Sequence, residues 1–243
     1  HIINKIITAI DPRPGLPVVE IGPGRGALTV PLLAHLDQLD VVELDRDLIA
    51  GLENLCPASN KLRIHLADAL SFDFTALYNE KIKVIGNLPY NISTPLLFHL
   101  LAQLESIEEM VFMLQKEVAE RICAEAGTSD YGRLSVMVQA RCQVENLFSV
   151  PSGAFTPPPK VESAVIRIKP AINQLQVTDY GLFEKLVKEA FSYRRKTLRN
   201  ALRQMVSEEQ FTQADITPTA RPQNLSIEQF AALANILHVD KNQ

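Results

Sequence analysis

Short, almost uninterrupted apolar runs alternate with longer stretches of helical periodicity through the first half of the chain. The runs at residues 18–21, 39–44, 62–66, 82–86 and 110–114 are rich in Val, Ile and Leu on consecutive positions. Consecutive apolar positions mark strands covered on both faces, whereas a half-exposed strand would alternate. Between the runs, Leu28, Leu32, Leu33 and Leu36 recur at helical spacing, and so do Leu96, Leu97, Leu100, Leu101 and Leu104. The second of these helices is expected to open at Ser93-Thr94-Pro95, with a capping hydroxyl followed by proline at the first helical position. Pro31 fits the earlier helix only within its first turn. Strands separated by helices at this interval predict βαβ units and a Rossmann-like, doubly wound α/β sheet.

Near Ala126 the alternation changes. A helix over 134–141 precedes segments at 143–150 and 161–168, which read as an antiparallel pair closing the edge of a seven-stranded, mainly parallel sheet. Residues 170–179 read as a linker, and from Tyr180 onward the pattern is helical only. The predicted division is therefore an α/β domain over residues 1–172 and a small all-helical domain over 173–243. The latter is short enough that it should pack on the first.

Composition narrows the class. With 47% hydrophobic and 21% charged residues, the chain is an ordinary globular one, and no apolar run reaches the roughly 20 residues of a membrane helix. Cys56, Cys123 and Cys142 form no CxxC pair, which suits a reducing, cytoplasmic setting and argues against structural zinc. The five histidines show no metal-binding spacing, so no metal site is expected. The sequence starts at His1 rather than methionine, and its natural beginning is expected to lie upstream. The net charge of −4 conceals a concentrated basic segment: Lys185, Lys188, Arg194, Arg195, Lys196, Arg199 and Arg203 lie between Glu184 and Gln204. At about 100° per residue all but Arg194 share one arc, opposite Phe183, Val187, Ala190, Phe191, Leu198, Leu202 and Met205. Arg194 lands on the apolar side, so a break near 192–194 is expected. Cations without interleaved acids repel one another unless a polyanion neutralises them, which points to RNA phosphates for Lys188, Arg195, Lys196, Arg199 and Arg203.

The chemistry is concentrated at strand ends. The first strand leads into Glu20-Ile21-Gly22-Pro23-Gly24-Arg25-Gly26, a glycine loop at the carboxyl edge where such sheets bind ligands. Its spacing is G-x-G-x-G rather than G-x-G-x-x-G, which disfavours a nicotinamide dehydrogenase. The second strand ends in Glu43, a carboxylate placed to accept both ribose hydroxyls, and the third is followed by Asp68-Ala69, where an acid can accept from an exocyclic purine amine. The fourth ends in Asn87-Leu88-Pro89-Tyr90-Asn91-Ile92-Ser93. The Asn87 side-chain carbonyl, the Leu88 backbone carbonyl held outward by Pro89, and the Tyr90 ring suit an aromatic amine such as adenine N6. Accepting that amine's protons favours pyramidal geometry and frees its lone pair for attack.

Gly22-Pro23-Gly24, Glu43-Leu44-Asp45, Asp68-Ala69, residues 87–94 and the loop Phe155-Thr156-Pro157-Pro158-Pro159-Lys160-Val161 together resemble the rRNA adenine N6,N6-dimethyltransferases, in order and spacing, across nearly the whole chain. The resemblance implies S-adenosylmethionine as methyl donor, with Gly22, Gly24, Glu43, Asp68 and Asn87 lining its pocket. It places the target adenine on Asn87, Leu88, Pro89 and Tyr90, with Phe155 closing over the other face of the base. The prolines after Phe155 stiffen its loop as a polyproline segment. It further implies a monomeric, cytoplasmic enzyme of ribosome assembly acting on small-subunit rRNA within an immature subunit. The family's F-x-Q-N-F segment, which covers the donor, does not occur before the first strand here, so an incomplete donor pocket is expected. Because the donor's sulfonium leaves as a neutral thioether, the transfer needs no metal and no covalent nucleophile; positioning is expected to supply most of the rate. Two other readings are a large-subunit rRNA adenine methyltransferase conferring antibiotic resistance, and a non-catalytic ribosome-assembly factor on the same fold.

Overall fold

The structure is a computed structural model that describes residues 2–55, 60–89, 91–154, 159–171, 175–193 and 196–241. Its strands are Val18–Ile21 (β1), Leu39–Glu43 (β2), Leu62–Leu66 (β3), Ile82–Asn87 (β4), Ile107–Gln115 (β5), Cys142–Val150 (β6) and Ser163–Pro170 (β7). They form one sheet in the order β3-β2-β1-β4-β5-β7-β6. The pairs β1–β2, β2–β3, β1–β4 and β4–β5 are parallel, and β5–β7 is antiparallel. β1 and β2 are buried throughout, as two-sided cover requires; β3 is not, because it is the sheet's edge, and Leu66 stands 48% exposed. Strand order reverses between β1 and β4. In an open parallel sheet that reversal splays the following loops apart and leaves a crevice at the carboxyl ends.

The helices Ile2–Ile10 (α1), Thr29–Leu33 (α2), Arg46–Leu55 (α3), Ser93–Leu101 (α4) and Lys116–Cys123 (α5) accompany these strands. Ile6 and Ile10 of α1 share one core with Leu28, Leu32 and Leu36 and with Val41, Ile85, Val111 and Val165 of the sheet. Pro31 lies in the first turn of α2, where its missing N–H costs nothing. The start of α4 differs from expectation. Ile92 occupies the capping position without a side-chain cap, and Ser93 is already the first helical residue and is buried. At the opposite, amino edge of the sheet, buried Lys83 donates to the carbonyl of Ile10 at 2.5 Å and pairs with buried Glu109 at 3.2 Å. Glu109 also meets Lys169 at 3.1 Å and Arg167 at 3.5 Å, so this buried carboxylate is paired with three cations. Lys83 thereby satisfies one orphan carbonyl at the end of α1.

Contacts gather into two compact units, residues 1–119 with 144–170, and residues 120–143 with 171–243. The second unit is thus larger than the contiguous tail expected at 173–243. The helix Arg133–Gln139 (α6) belongs with Tyr180–Ser192 (α7), joined by Arg133–Glu184 at 2.9 Å, by Tyr131 edge-on to Phe191, and by Arg141 over the Tyr180 ring. A tail of its length has too little apolar surface for a core, and residues 120–143 supply the rest. Leu198–Leu202 (α8), Glu208–Gln213 (α9) and Ile227–Lys241 (α10) complete the unit. The break expected near 192–194 is present: α7 ends at Ser192, Tyr193 leaves helical geometry (φ −126°, ψ 65°), and α8 starts at Leu198. The helical phase restarts there, so the single arc of cations computed along a continuous helix does not exist. Arg194 lies outside the described residues.

Candidate active site

β1 and β4 approach so closely at their carboxyl ends that only glycine fits. Gly86 pairs with Ile21, and a Cβ on Gly86 would stand 2.5 Å from the Ile21 carbonyl oxygen. The glycine loop after β1 and the Asn87 turn after β4 therefore start side by side. Gly22 prolongs the pairing by donating to the carbonyl of Val42 on β2 at 3.0 Å, then turns away with φ +64°. Pro89 stands opposite it, 4.0 Å from where a Gly22 side chain would begin.

These strand ends enclose a cavity of about 380 Å³, lined by Gly22, Glu43, Leu44, Asp68, Pro89 and Ile92 among others. Its size suits a nucleoside-sized ligand. Glu43, nearly buried, is aimed by backbone amides: Leu44 and Asp45 donate to one carboxylate oxygen at 2.9 and 3.0 Å, and Gly24 approaches the other at 3.4 Å. Each oxygen can accept two hydrogen bonds, so the oxygen facing Gly24 retains capacity for a ribose hydroxyl. Asp68 is exposed at the cavity wall, its carboxylate fixed by the amide of Leu70 at 2.9 Å. Gly22, Glu43 and Asp68 line this cavity together, whereas Gly24, beside Glu43, and Asn87, both expected there, are not on its wall. Leu44, Leu70, Asn91 and Ile92 line the cavity without having been singled out from sequence. Leu44 carried a signal, an aliphatic residue between two acids, and it is 65% exposed.

Glu20 is the larger omission. It is buried at the end of β1, and its carboxylate accepts a 2.7 Å hydrogen bond from the hydroxyl of Thr29, itself buried at the start of α2. The pair closes the glycine loop at both ends. Burial first, and the neighbouring Glu43 charge after it, push the Glu20 carboxyl up to about 7, while the Thr29 hydrogen bond opposes them. The unfolded chain, with its carboxyl near 4.5, then loses this proton before the folded one does. The group's contribution to stability is fully present below about pH 4.5 and falls by roughly 3 kcal/mol as pH rises through about 7. Glu20→Gln keeps an acceptor for Thr29 and should remove that slope. Denaturant unfolding across this pH range reads it, and an unchanged slope in Glu20→Gln would assign the effect elsewhere.

On the other side of the reversal, Asn87 is exposed at the last position of β4, while Leu88 is buried. The Leu88 amide donates to the carbonyl of Met113 on β5 at 3.0 Å, extending the ladder beneath the turn, and Ile92 donates back to Pro89 at 3.2 Å. Leu88 therefore anchors while Asn87 and Pro89 stand at the surface. Tyr90 and Phe155 lie outside the described residues. In the second unit Lys188, Lys196, Arg199 and Arg203 are all exposed, and Arg195 lies outside the described residues. Arg199 is engaged: its guanidinium holds Glu208 at the start of α9 through two hydrogen bonds, at 2.6 and 2.8 Å. Among the described residues, no group of three metal-ligating side chains converges and no helix is long and apolar enough to cross a membrane.

The family described as ribosomal RNA adenine dimethylase matches residues 1–239. The chain is 52% identical over 238 residues to ribosomal RNA small subunit methyltransferase A of Acinetobacter baylyi, covering 97% of this chain and 87% of that protein. It is 51% identical over 239 residues to the protein of the same name from Pseudomonas aeruginosa, covering 97% and 89%. Among solved structures, a dimethyladenosine transferase from Plasmodium falciparum superposes with a TM-score of 0.82 at 28% identity, over 99% of this chain and 95% of that one. The 23S rRNA methyltransferase ErmE superposes at 0.73 with 26% identity, over 98% and 97%.

Proposed function

Because this chain belongs to the ribosomal RNA adenine dimethylase family, we propose that it transfers methyl groups from S-adenosylmethionine to adenine N6 in small-subunit rRNA, making N6,N6-dimethyladenosine. One observation carries the reading: Ile21 lies opposite Gly86, so the glycine loop and the amine-holding turn emerge side by side where the strand order reverses. Donor and acceptor can then meet without any large movement of the sheet.

The residues present fit the donor. Glu43 offers its ribose an aimed carboxylate, Asp68 an acceptor for its purine amine, and Gly22 a bare backbone, in a cavity of nucleoside size. When bound, the donor supplies an electrophilic methyl on a cationic sulfonium. Asn87 and the Leu88 carbonyl accept hydrogen bonds from the N–H groups of adenine N6, Tyr90 stacks on one face of the flipped base, and Phe155 covers the other. The base must be extruded from its helix to reach them. Glu43→Ala should weaken donor binding by about 1.5–3 kcal/mol through loss of a charge-assisted hydrogen bond. Calorimetry on the full-length chain reads this, and unchanged affinity would remove Glu43 from the pocket.

The substrate is an immature small subunit in the cytoplasm, met by a monomer through the exposed cations of the second unit. Radiolabelled donor offered with immature small subunits, mature small subunits or large subunits tests this. Label should enter only the immature small subunit. Label in the large subunit would support the resistance-type reading, and donor binding without any transfer would support a factor that only binds.

A further inference from the structure

α7 ends on an aromatic capping residue, Tyr193, that the core does not take up. Tyr193 is 49% exposed, whereas Tyr131 in the same unit is 1% exposed and packs edge-on against Phe191. The Tyr193 carbonyl accepts from the Lys196 amide at 2.8 Å, which holds the two residues together. The Lys196 ammonium lies 4.2 Å from the centroid of the Tyr193 ring. A cation–π contact of this kind covers one face of a ring and holds it in place. Lys188 within α7 and Arg203 just beyond α8 are exposed as well, with Glu189 half-buried next to Lys188. Arg199, by contrast, is occupied with Glu208.

Resting on the RNA reading above, we infer that Tyr193 is a nucleobase platform, stacking an unpaired base of the RNA while Lys196 and the neighbouring cations hold the phosphates. The physical grounds are separable. Cations bind any nucleic-acid backbone, paired or not, and their contribution falls with salt. A ring with a free face can stack only a base that has left its helix, and stacking is nearly independent of salt. Tyr193 with Lys196 therefore gives this segment a preference for unpaired nucleotides that the charges alone cannot supply. It also shifts the RNA contact from a helical stripe, which the break at Tyr193 destroys, to the pair Tyr193 and Lys196.

The test uses the full chain with two RNAs of equal phosphate number: a hairpin with an unpaired loop carrying a fluorescent adenine analogue, and a fully paired duplex. The unmodified protein should bind the hairpin more tightly and quench the analogue. Tyr193→Ala and Tyr193→Leu should weaken hairpin binding about tenfold, abolish the quenching and leave duplex binding unchanged. Tyr193→Phe should behave as the unmodified protein. The slope of log affinity against log salt should be the same in all of them, because no phosphate contact is lost. Lys196→Gln should instead weaken both RNAs and lower that slope by somewhat under one unit. An unchanged hairpin affinity in Tyr193→Ala overturns the inference, as does an equal loss on hairpin and duplex, which would make Tyr193 a support for the local fold. Failure of the unmodified protein to bind either RNA would remove the RNA reading itself and this inference with it.

Discussion

Asn87→Ala is expected to lower methyl transfer by two to three orders of magnitude while the protein remains folded. Asn87 is exposed at the end of β4, and the core beneath it is supplied by Leu88, so truncation costs little packing. What it removes is the acceptor proposed for the amine. That hydrogen bond strengthens as the nitrogen pyramidalises, so it belongs to the transition state more than to the bound substrate, and losing one such group typically costs about 10²–10³ in turnover. Single-turnover rates at saturating donor and RNA measure it directly. Some weakening of donor binding is also expected, since the family resemblance puts Asn87 beside both ligands. Full activity in Asn87→Ala would remove the residue on which amine methylation most depends.

Gly86→Ala should be the most disruptive small substitution in the site. The added methyl would stand 2.5 Å from the Ile21 carbonyl oxygen and 3.2 Å from a Leu88 methyl, and the nearer obstacle is backbone that cannot rotate away. The ends of β1 and β4 must part. Forcing atoms into a packed position costs about 1–3 kcal/mol of stability. The functional loss should be greater, because parting these strands separates the glycine loop from the Asn87 turn, and a displacement of about 1 Å can cost roughly 100-fold in rate. A variant with normal melting and normal turnover would show that the strand ends tolerate separation, and that their close approach is not what sets the distance between donor and amine.

How much of this was legible in the chain depends on which physical signal each element carried. β1 and β3 have the bounds that their apolar runs indicate, and β4 and β5 run longer. The runs stop at Asn87 and Glu109, yet both residues are in strands: Asn87 because the ladder extends to Met113, and Glu109 because Lys83, Arg167 and Lys169 compensate its charge. Compensation between residues distant in sequence leaves no local pattern. α1 was hidden for the opposite reason. Its isoleucines are poor helix formers, and only Ile6 and Ile10 are buried, so tertiary packing rather than propensity makes the helix. The Ser93-Thr94-Pro95 run resembled a cap because hydroxyl side chains commonly cap helices, but the Ile92 amide bonds to the Pro89 carbonyl and the helix starts at Ser93, two residues before Pro95.

In the site, Gly22, Glu43 and Asp68 were readable because each follows a strand, and parallel strands deliver their carboxyl ends to one edge. Glu20 was not. Its role depends on Thr29, nine residues on, with which it closes the loop, and nothing in the sequence distinguishes that acid from a solvated one. Arg199 was readable as a cation but not as the partner of Glu208, because that pairing depends on how residues 203–207 bring the start of α9 back to α8.

The central claim is the identity of the product. Purified immature small subunits, incubated with the full-length protein and S-adenosylmethionine and digested to nucleosides, should yield N6,N6-dimethyladenosine by mass spectrometry, and Asn87→Ala should yield almost none in the same time. Methylation on any other base or on ribose, or dimethyladenosine formed equally well by Asn87→Ala, would contradict the account.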